Sequence, residues 1–135
     1  MNTENLTKED IKTFEDACEV LSVDPNNAIP DFSMFPEKHQ NAMISHAKLV
    51  LIAEALNTIE NGGEPWTPDW TNGEWDKYYP WFDMDSASGV GFSYLDFVLW
   101  RSISTVGSRL CFISSSLARY AGNQFIELYK AYFTA

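Results

Sequence analysis

The side chains able to do chemistry are few, and their spacing limits what they can do. His39 and His46 lie seven residues apart in a segment of helical character. Two turns separate them by about 10 Å, too far to share one ion. The three- or four-residue spacing of a metal-binding helix is absent, and no further Cys or His completes a site with Cys18 or Cys111. No metal and no cofactor is expected. Asp83-Met-Asp85-Ser-Ala-Ser-Gly89 invites a calcium or phosphatase reading. A calcium loop needs an oxygen ligand at its fifth position, glycine at its sixth and glutamate at its twelfth; here these are Ala87, Ser88 and Tyr94. An aspartate nucleophile would need a buried parallel strand before it, a later lysine and further carboxylates on other loops, and the chain has no evident βαβ repetition to supply that framework. The default is a solvated turn. Gly89-Val-Gly91 and Gly107-Ser-Arg109 are too short to cradle phosphate. Serines 114 to 116 read as a helix cap before they read as nucleophiles. No catalytic set is assigned.

Aromatic rings are the larger signal. Four of the five tryptophans fall within residues 64–82, at Trp66, Trp70, Trp75 and Trp81, and the fifth is Trp100. Pro65, Pro68 and Pro80 keep that stretch from being a plain helix, since each lacks a backbone donor and has a fixed φ. Burial of so many rings offsets the entropy of ordering it. The expectation is an ordered, irregular aromatic wall. Its candidate binding residues are Trp66, Trp70, Trp75, Tyr78 and Trp81, with Asp69 and Asn72 as polar edges. Arg109 is a candidate anchor for an anion or small ligand.

Overall charge narrows the partners. The chain has 135 residues and a net charge of −10. Residues 1–96 carry a balance of −13 and residues 97–135 a balance of +3. An acidic protein repels phosphate backbones, so non-specific nucleic-acid binding is disfavoured. Lys48 and Glu54 interrupt the longest apolar run, so no membrane span of roughly 18 residues is expected. A polar, acidic start carries no secretory signal. Cys18 and Cys111 each have apolar neighbours and read as buried thiols of a reducing compartment. The expected location is cytoplasmic.

These residues need elements to hold them. Residues 1–12 read as a polar arm and residues 13–135 as one domain. Thr13-Phe-Glu-Asp16 resembles a capping arrangement for a short helix bearing Phe14, Ala17, Cys18 and Leu21 on one face. Pro36 opens a second helix to about Ile59, with Met43, Ala47, Val50, Leu51, Ala55 and Ile59 as its inward stripe. Asn61-Gly62-Gly63 stops it. Residues 75–82 and 92–100 read as antiparallel strands, and residues 108–113 as a third. Ser114 caps a final helix to about Phe133, with Leu117, Ala121, Phe125, Leu128 and Tyr132 inward. The expected class is α+β: two N-terminal helices, an aromatic-rich loop, a small antiparallel sheet of about three strands and a C-terminal helix.

Several segments together carry a resemblance. They are Trp66-Thr-Pro-Asp-Trp70-Thr-Asn72, Lys77-Tyr-Tyr-Pro-Trp-Phe82, Val106-Gly-Ser-Arg-Leu-Cys-Phe112 and Leu117-Ala-Arg-Tyr-Ala-Gly-Asn-Gln-Phe125. With the start Thr13-Phe-Glu-Asp-Ala-Cys18, they resemble uncharacterised proteins of Bacteroidetes and of their phages or prophages. Ile113 and the serines after it depart from the charged stretch expected there, which weakens an anion site at that turn. The resemblance implies a bacterial or phage-encoded intracellular protein and carries no activity. The expected function is a non-enzymatic binding or assembly protein with a protein partner, using its aromatic-rich surface. One alternative is a small-ligand or carbohydrate-binding module. Another is an enzyme of unrecognised type using Asp69, Asp76, Asp83 or Asp85.

Overall fold

The computed structural model describes residues 5–66, 77–83, 93–100 and 108–133. Thr13 starts the first helix, α1 (Phe14–Leu21), by a reciprocal cap. Its hydroxyl accepts from the Asp16 N–H at 3.1 Å, and the Asp16 carboxylate accepts from the Thr13 N–H at 3.2 Å. The second helix, α2 (Glu37–Glu60), ends at the two glycines the sequence supplies. The Gly62 N–H donates to the Ile59 carbonyl and the Gly63 N–H to the Thr58 carbonyl, with Gly62 at φ +73°. This is the left-handed stop that glycine makes without penalty.

Strands β1 (Lys77–Asp83) and β2 (Ser93–Trp100) form a two-stranded antiparallel ribbon with an irregularity between Trp81 and Phe82. A 3-10 turn, Ser108–Leu110, follows. Helix α3 (Ser115–Gln124) starts where Ser114 accepts from the Leu117 N–H at 3.2 Å, and α4 (Ile126–Phe133) is the last element described.

The expected α+β class is corrected: among the described residues four helices make the body, and no sheet of about three strands lies beneath them. The described core is drawn from all four helices, from Ile11 and from the Leu110–Phe112 stretch. Helix α2 is central, with α1, α4 and the 3-10 turn packed on it, while α3 lies against the ribbon. The expected third strand is a 3-10 turn followed by a single bridge, Tyr78 to Phe112. The reason lies in Pro80. Tyr78 exchanges both backbone hydrogen bonds with Phe112, at 3.1 and 2.6 Å, so the outer edge of β1 faces that segment at residue 78. The next pair along that edge would need an N–H from residue 80, and proline has none. The ladder stops after one rung. In a two-stranded ribbon that edge is otherwise an outer one, so proline is tolerated there.

Other expectations shift for similar local reasons. In α2 the deeply buried positions are Ser45, Leu49, Ile52, Ala53, Leu56 and Asn57 together with Ala55 and Ile59. Met43, Ala47, Val50 and Leu51 are only half-buried. A helix with neighbours on several sides is apolar nearly all round, so no single stripe can be read from it. By length and composition alone α2 is apolar enough to cross a membrane, contrary to expectation, yet its second half lies largely inside the core. The final helix is two helices. Phe125, at φ −112° and ψ 30°, breaks it with its side chain buried. The polar arm is anchored at its end: Ile11 is fully buried, and Tyr120 Oη donates to its carbonyl at 2.7 Å.

Candidate binding surface

The connection from α1 to α2 carries the most exposed apolar side chains described. Ser22 ends α1 in the left-handed conformation at φ 58°, turning the chain away from the helix axis. Asp24 Oδ1 then accepts from the Asn26 N–H at 3.0 Å, and Asp31 Oδ1 from the Ser33 N–H at 2.9 Å. These are the local turns that aspartate favours. The Phe35 N–H donates to the Phe32 carbonyl at 2.9 Å, closing a tight turn. Met34 lies within that turn and is 96 % exposed, while Phe35 is 43 % exposed. Gln40 ties the turn to α2, its Nε2 donating to the Phe35 carbonyl at 2.8 Å. Phe32 packs edge-on to Phe35, and Phe35 edge-on to His39. The backbone of the turn is therefore pinned by local hydrogen bonds, which lowers the backbone entropy lost when something binds it.

A hollow of about 450 Å³ opens beside the knob, lined among others by Ile29, Pro30, Asp31, Phe32, Ile44 and Lys48. The Ser33 backbone N–H, and after it the Ser33 hydroxyl, hold the Asp31 carboxyl below the ordinary carboxylate range. Lys48 sits with its ammonium 5.6 Å from the centre of the Phe14 ring. The lining thus mixes apolar side chains with the polar Asn26, Ser33 and Gln40, one carboxylate and one ammonium.

A second hollow, about 350 Å³, is lined by Lys8, Ser116, Arg119, Tyr120, Asn123 and Gln124. Its polar groups serve the fold. Tyr120 Oη and Gln124 Nε2 donate to the Ile11 and Lys12 carbonyls, and Lys8 pairs with Glu9 at 3.4 Å. Burial first, then the charges of Glu9, Asp16 and Asp10, push the Tyr120 hydroxyl above the usual tyrosine range. With those carboxylates nearby, the hollow is no strong anion trap.

No family model, curated protein or solved structure matches this chain.

Of the expected site residues, Trp66 is half-buried just beyond α2, where Asn61 Nδ2 donates to the Glu64 and Pro65 carbonyls at 3.1 and 3.3 Å. Tyr78 is half-buried in β1 and bridges to Phe112 through its backbone. Trp81 pairs with Asp96 in the ribbon register. Arg109 is exposed in the 3-10 turn and lines neither hollow. Trp70, Trp75, Asp69, Asn72, Asp76 and Asp85 lie outside the described residues. His39 and His46 sit on α2, and His46 meets Tyr132 at 4.7 Å between ring centroids. Among the described residues no three of His, Cys, Asp and Glu are grouped to hold a metal. Cys18 and Cys111 are buried and not joined to each other, and burial raises the Cys18 thiol above its ordinary range. Sequence reasoning missed the Met34 knob. The signal was present in Phe32-Ser-Met-Phe35, three apolar residues in a connector with no helical or strand period.

Proposed function

We propose that this protein is a non-enzymatic binding or assembly protein, and that the knob at Met34 and Phe35 forms part of its contact surface. The observation that carries the reading is a methionine left 96 % exposed on a turn tied down by its own hydrogen bonds. An apolar protrusion on a hydrogen-bonded turn suits an interface, where methionine and aromatic residues are enriched. The aromatic stretch from Trp66 to Trp81 is the second part of the proposed surface. The resemblance to proteins of Bacteroidetes and their phages supports a bacterial or phage-encoded protein acting in the host cytoplasm.

Affinity capture from a native or phage-infected lysate tests the reading. The wild-type chain should retain a defined partner that Met34→Asp/Phe35→Asp no longer retains, with an unchanged far-UV spectrum. Equal capture by both chains would remove the knob from the contact surface.

A further inference from the structure

The described sulfur side chains differ widely in their access to water. Cys18 and Cys111 are fully buried. Met43, in the first half of α2, is half-buried. Met34 is 96 % exposed. Thiols are ordinarily the first sulfur groups to react with a peroxide, and they do so as thiolates. Here both are sealed in the interior. Burial, ahead of the charges of Glu15 and Asp24, also pushes the Cys18 thiol above its ordinary range, which keeps it protonated. A thioether needs no deprotonation, and at residue 34 nothing shields it. The usual order is inverted, with the exposed methionine ahead of the buried cysteines.

The position also confines the consequence. Oxidation makes an apolar thioether polar, which disrupts a packed core. Met34 is not part of the core cluster. The backbone of its turn is held by Asp31, Phe32 and Gln40 through bonds that do not involve its side chain. A sulfoxide there alters the surface and leaves the fold alone. Any apolar contact made through Met34 must then desolvate a strong hydrogen-bond acceptor.

We propose that Met34 is a reversible oxidation site, taking one oxygen atom from a hydroperoxide, and that its sulfoxide switches off the contact surface at Met34 and Phe35. The switch rests on the binding reading above; the oxidation site does not. In the forward step the sulfur lone pair attacks the peroxide, an S–O bond forms and the O–O bond breaks. Sulfur loses two electrons, and the remaining peroxide oxygen leaves as an alcohol, or as water from hydrogen peroxide. In the return step a dithiol supplies two electrons and two protons, becomes a disulfide, and the oxygen departs as water.

Limiting hydrogen peroxide on the intact chain, followed by peptide mass spectrometry, tests the site. Met34 should take up oxygen on the order of tenfold faster than Met43, with both thiols still open to alkylation after unfolding. Circular dichroism should be unaltered. Met43 oxidised as fast as Met34, or thiols lost before Met34 reacts, would overturn the site. For the switch, the treated chain is freed of peroxide before lysate capture. It should lose the partner that the untreated chain retains, and the two stereospecific methionine sulfoxide reductases with a dithiol should restore capture. Met34→Leu lacks the oxidisable sulfur, so peroxide should not change what it captures. Capture that survives oxidation of Met34, or that peroxide still abolishes in Met34→Leu, would overturn the switch. Loss of capture by Met34→Asp/Phe35→Asp beside such a result would uphold the binding reading alone. Equal capture by that double variant would remove the binding reading and the switch together, and the peptide map would still decide the oxidation site.

Discussion

Asn57 is the residue whose replacement should unsettle the fold most for its size. It is 5 % exposed near the end of α2. Its Nδ2 donates to the Cys111 carbonyl at 3.0 Å, and its Oδ1 accepts from the Ile113 N–H at 2.9 Å. The side-chain amide thus offers one donor and one acceptor, as a neighbouring strand would. On the other side Phe112 is bonded to Tyr78. Asn57→Leu keeps the approximate volume and removes both hydrogen bonds. A lost partner costs about 1–3 kcal/mol at a buried group and less at the half-buried Ile113, so the loss should be about 2–4 kcal/mol. Against a total stability of about 5–15 kcal/mol that is a large part. It should lower the melting temperature by on the order of 10 °C or more.

Asn57→Asp separates hydrogen bonding from packing. The carboxylate can still accept from Ile113 but presents an acceptor to the Cys111 carbonyl, and it is charged in a buried place. Burial raises the folded pKa of the new carboxyl above its unfolded value. Its protonated form, able to donate, is the one the fold favours. That contribution is present below the unfolded pKa and is lost as pH rises through the folded one. The deficit relative to wild type should therefore be largest at neutral pH and shrink toward acid, whereas that of Asn57→Leu should be flat. Urea unfolding followed by circular dichroism at several pH values measures both. A neutral-pH deficit under about 1 kcal/mol for Asn57→Asp, or one that ignores pH, would refute the clamp.

Two helix stops should respond in opposite directions. Ser22→Gly relieves a left-handed non-glycine residue and should stabilise by about 0.5–1 kcal/mol, read from the urea midpoint. Gly62→Ala should cost about 1–2 kcal/mol by backbone strain alone, since nothing lies within 4 Å of the added methyl. Tyr120→Phe removes the bond to the Ile11 carbonyl and should cost about 1 kcal/mol near neutral pH. Because the folded Tyr120 pKa is raised, its stabilisation is whole below the unfolded tyrosine pKa and is lost as pH rises through the folded one. The wild type should lose its advantage over Tyr120→Phe on that alkaline limb, and a constant difference through it would count against the bond.

What the sequence made legible was local. Thr13 with Asp16, Ser114 with Leu117, and Gly62 with Gly63 sit where expected because capping is settled within a few residues. Features that depend on distant partners were opaque. The Leu110–Phe112 stretch has strand composition, yet its pairing depends on a proline far earlier in the chain. Ile11 sits among polar neighbours, and only Tyr120 and the core reveal why it is buried. No proline marks the break at Phe125, where the buried ring and a changed backbone angle divide α3 from α4. The candidate surface was partly misplaced for a related reason. Tryptophan is the ring with most to gain from contact, whereas Met34 lies in a stretch with no periodic pattern. Hydrophobic periodicity describes burial, and an apolar side chain held out in water has no period to show.

The two halves of the proposed surface are joined by one peptide stretch. Cys111 and Ile113 are held by Asn57 from the helical side, and Phe112 is held by Tyr78 from the ribbon side. The described chain between α2 and this stretch includes Trp66 and the ribbon that carries Trp81. Weakening Asn57 should therefore loosen the attachment of the ribbon at Phe112 while leaving the 32–35 turn intact, because that turn is fixed by Asp31, Phe32 and Gln40, far along α2 from Asn57. If partner capture runs through Met34, it should survive an Asn57 variant under conditions where that variant remains folded. The stability of the fold and the affinity of the surface are thus governed by opposite ends of the same helix.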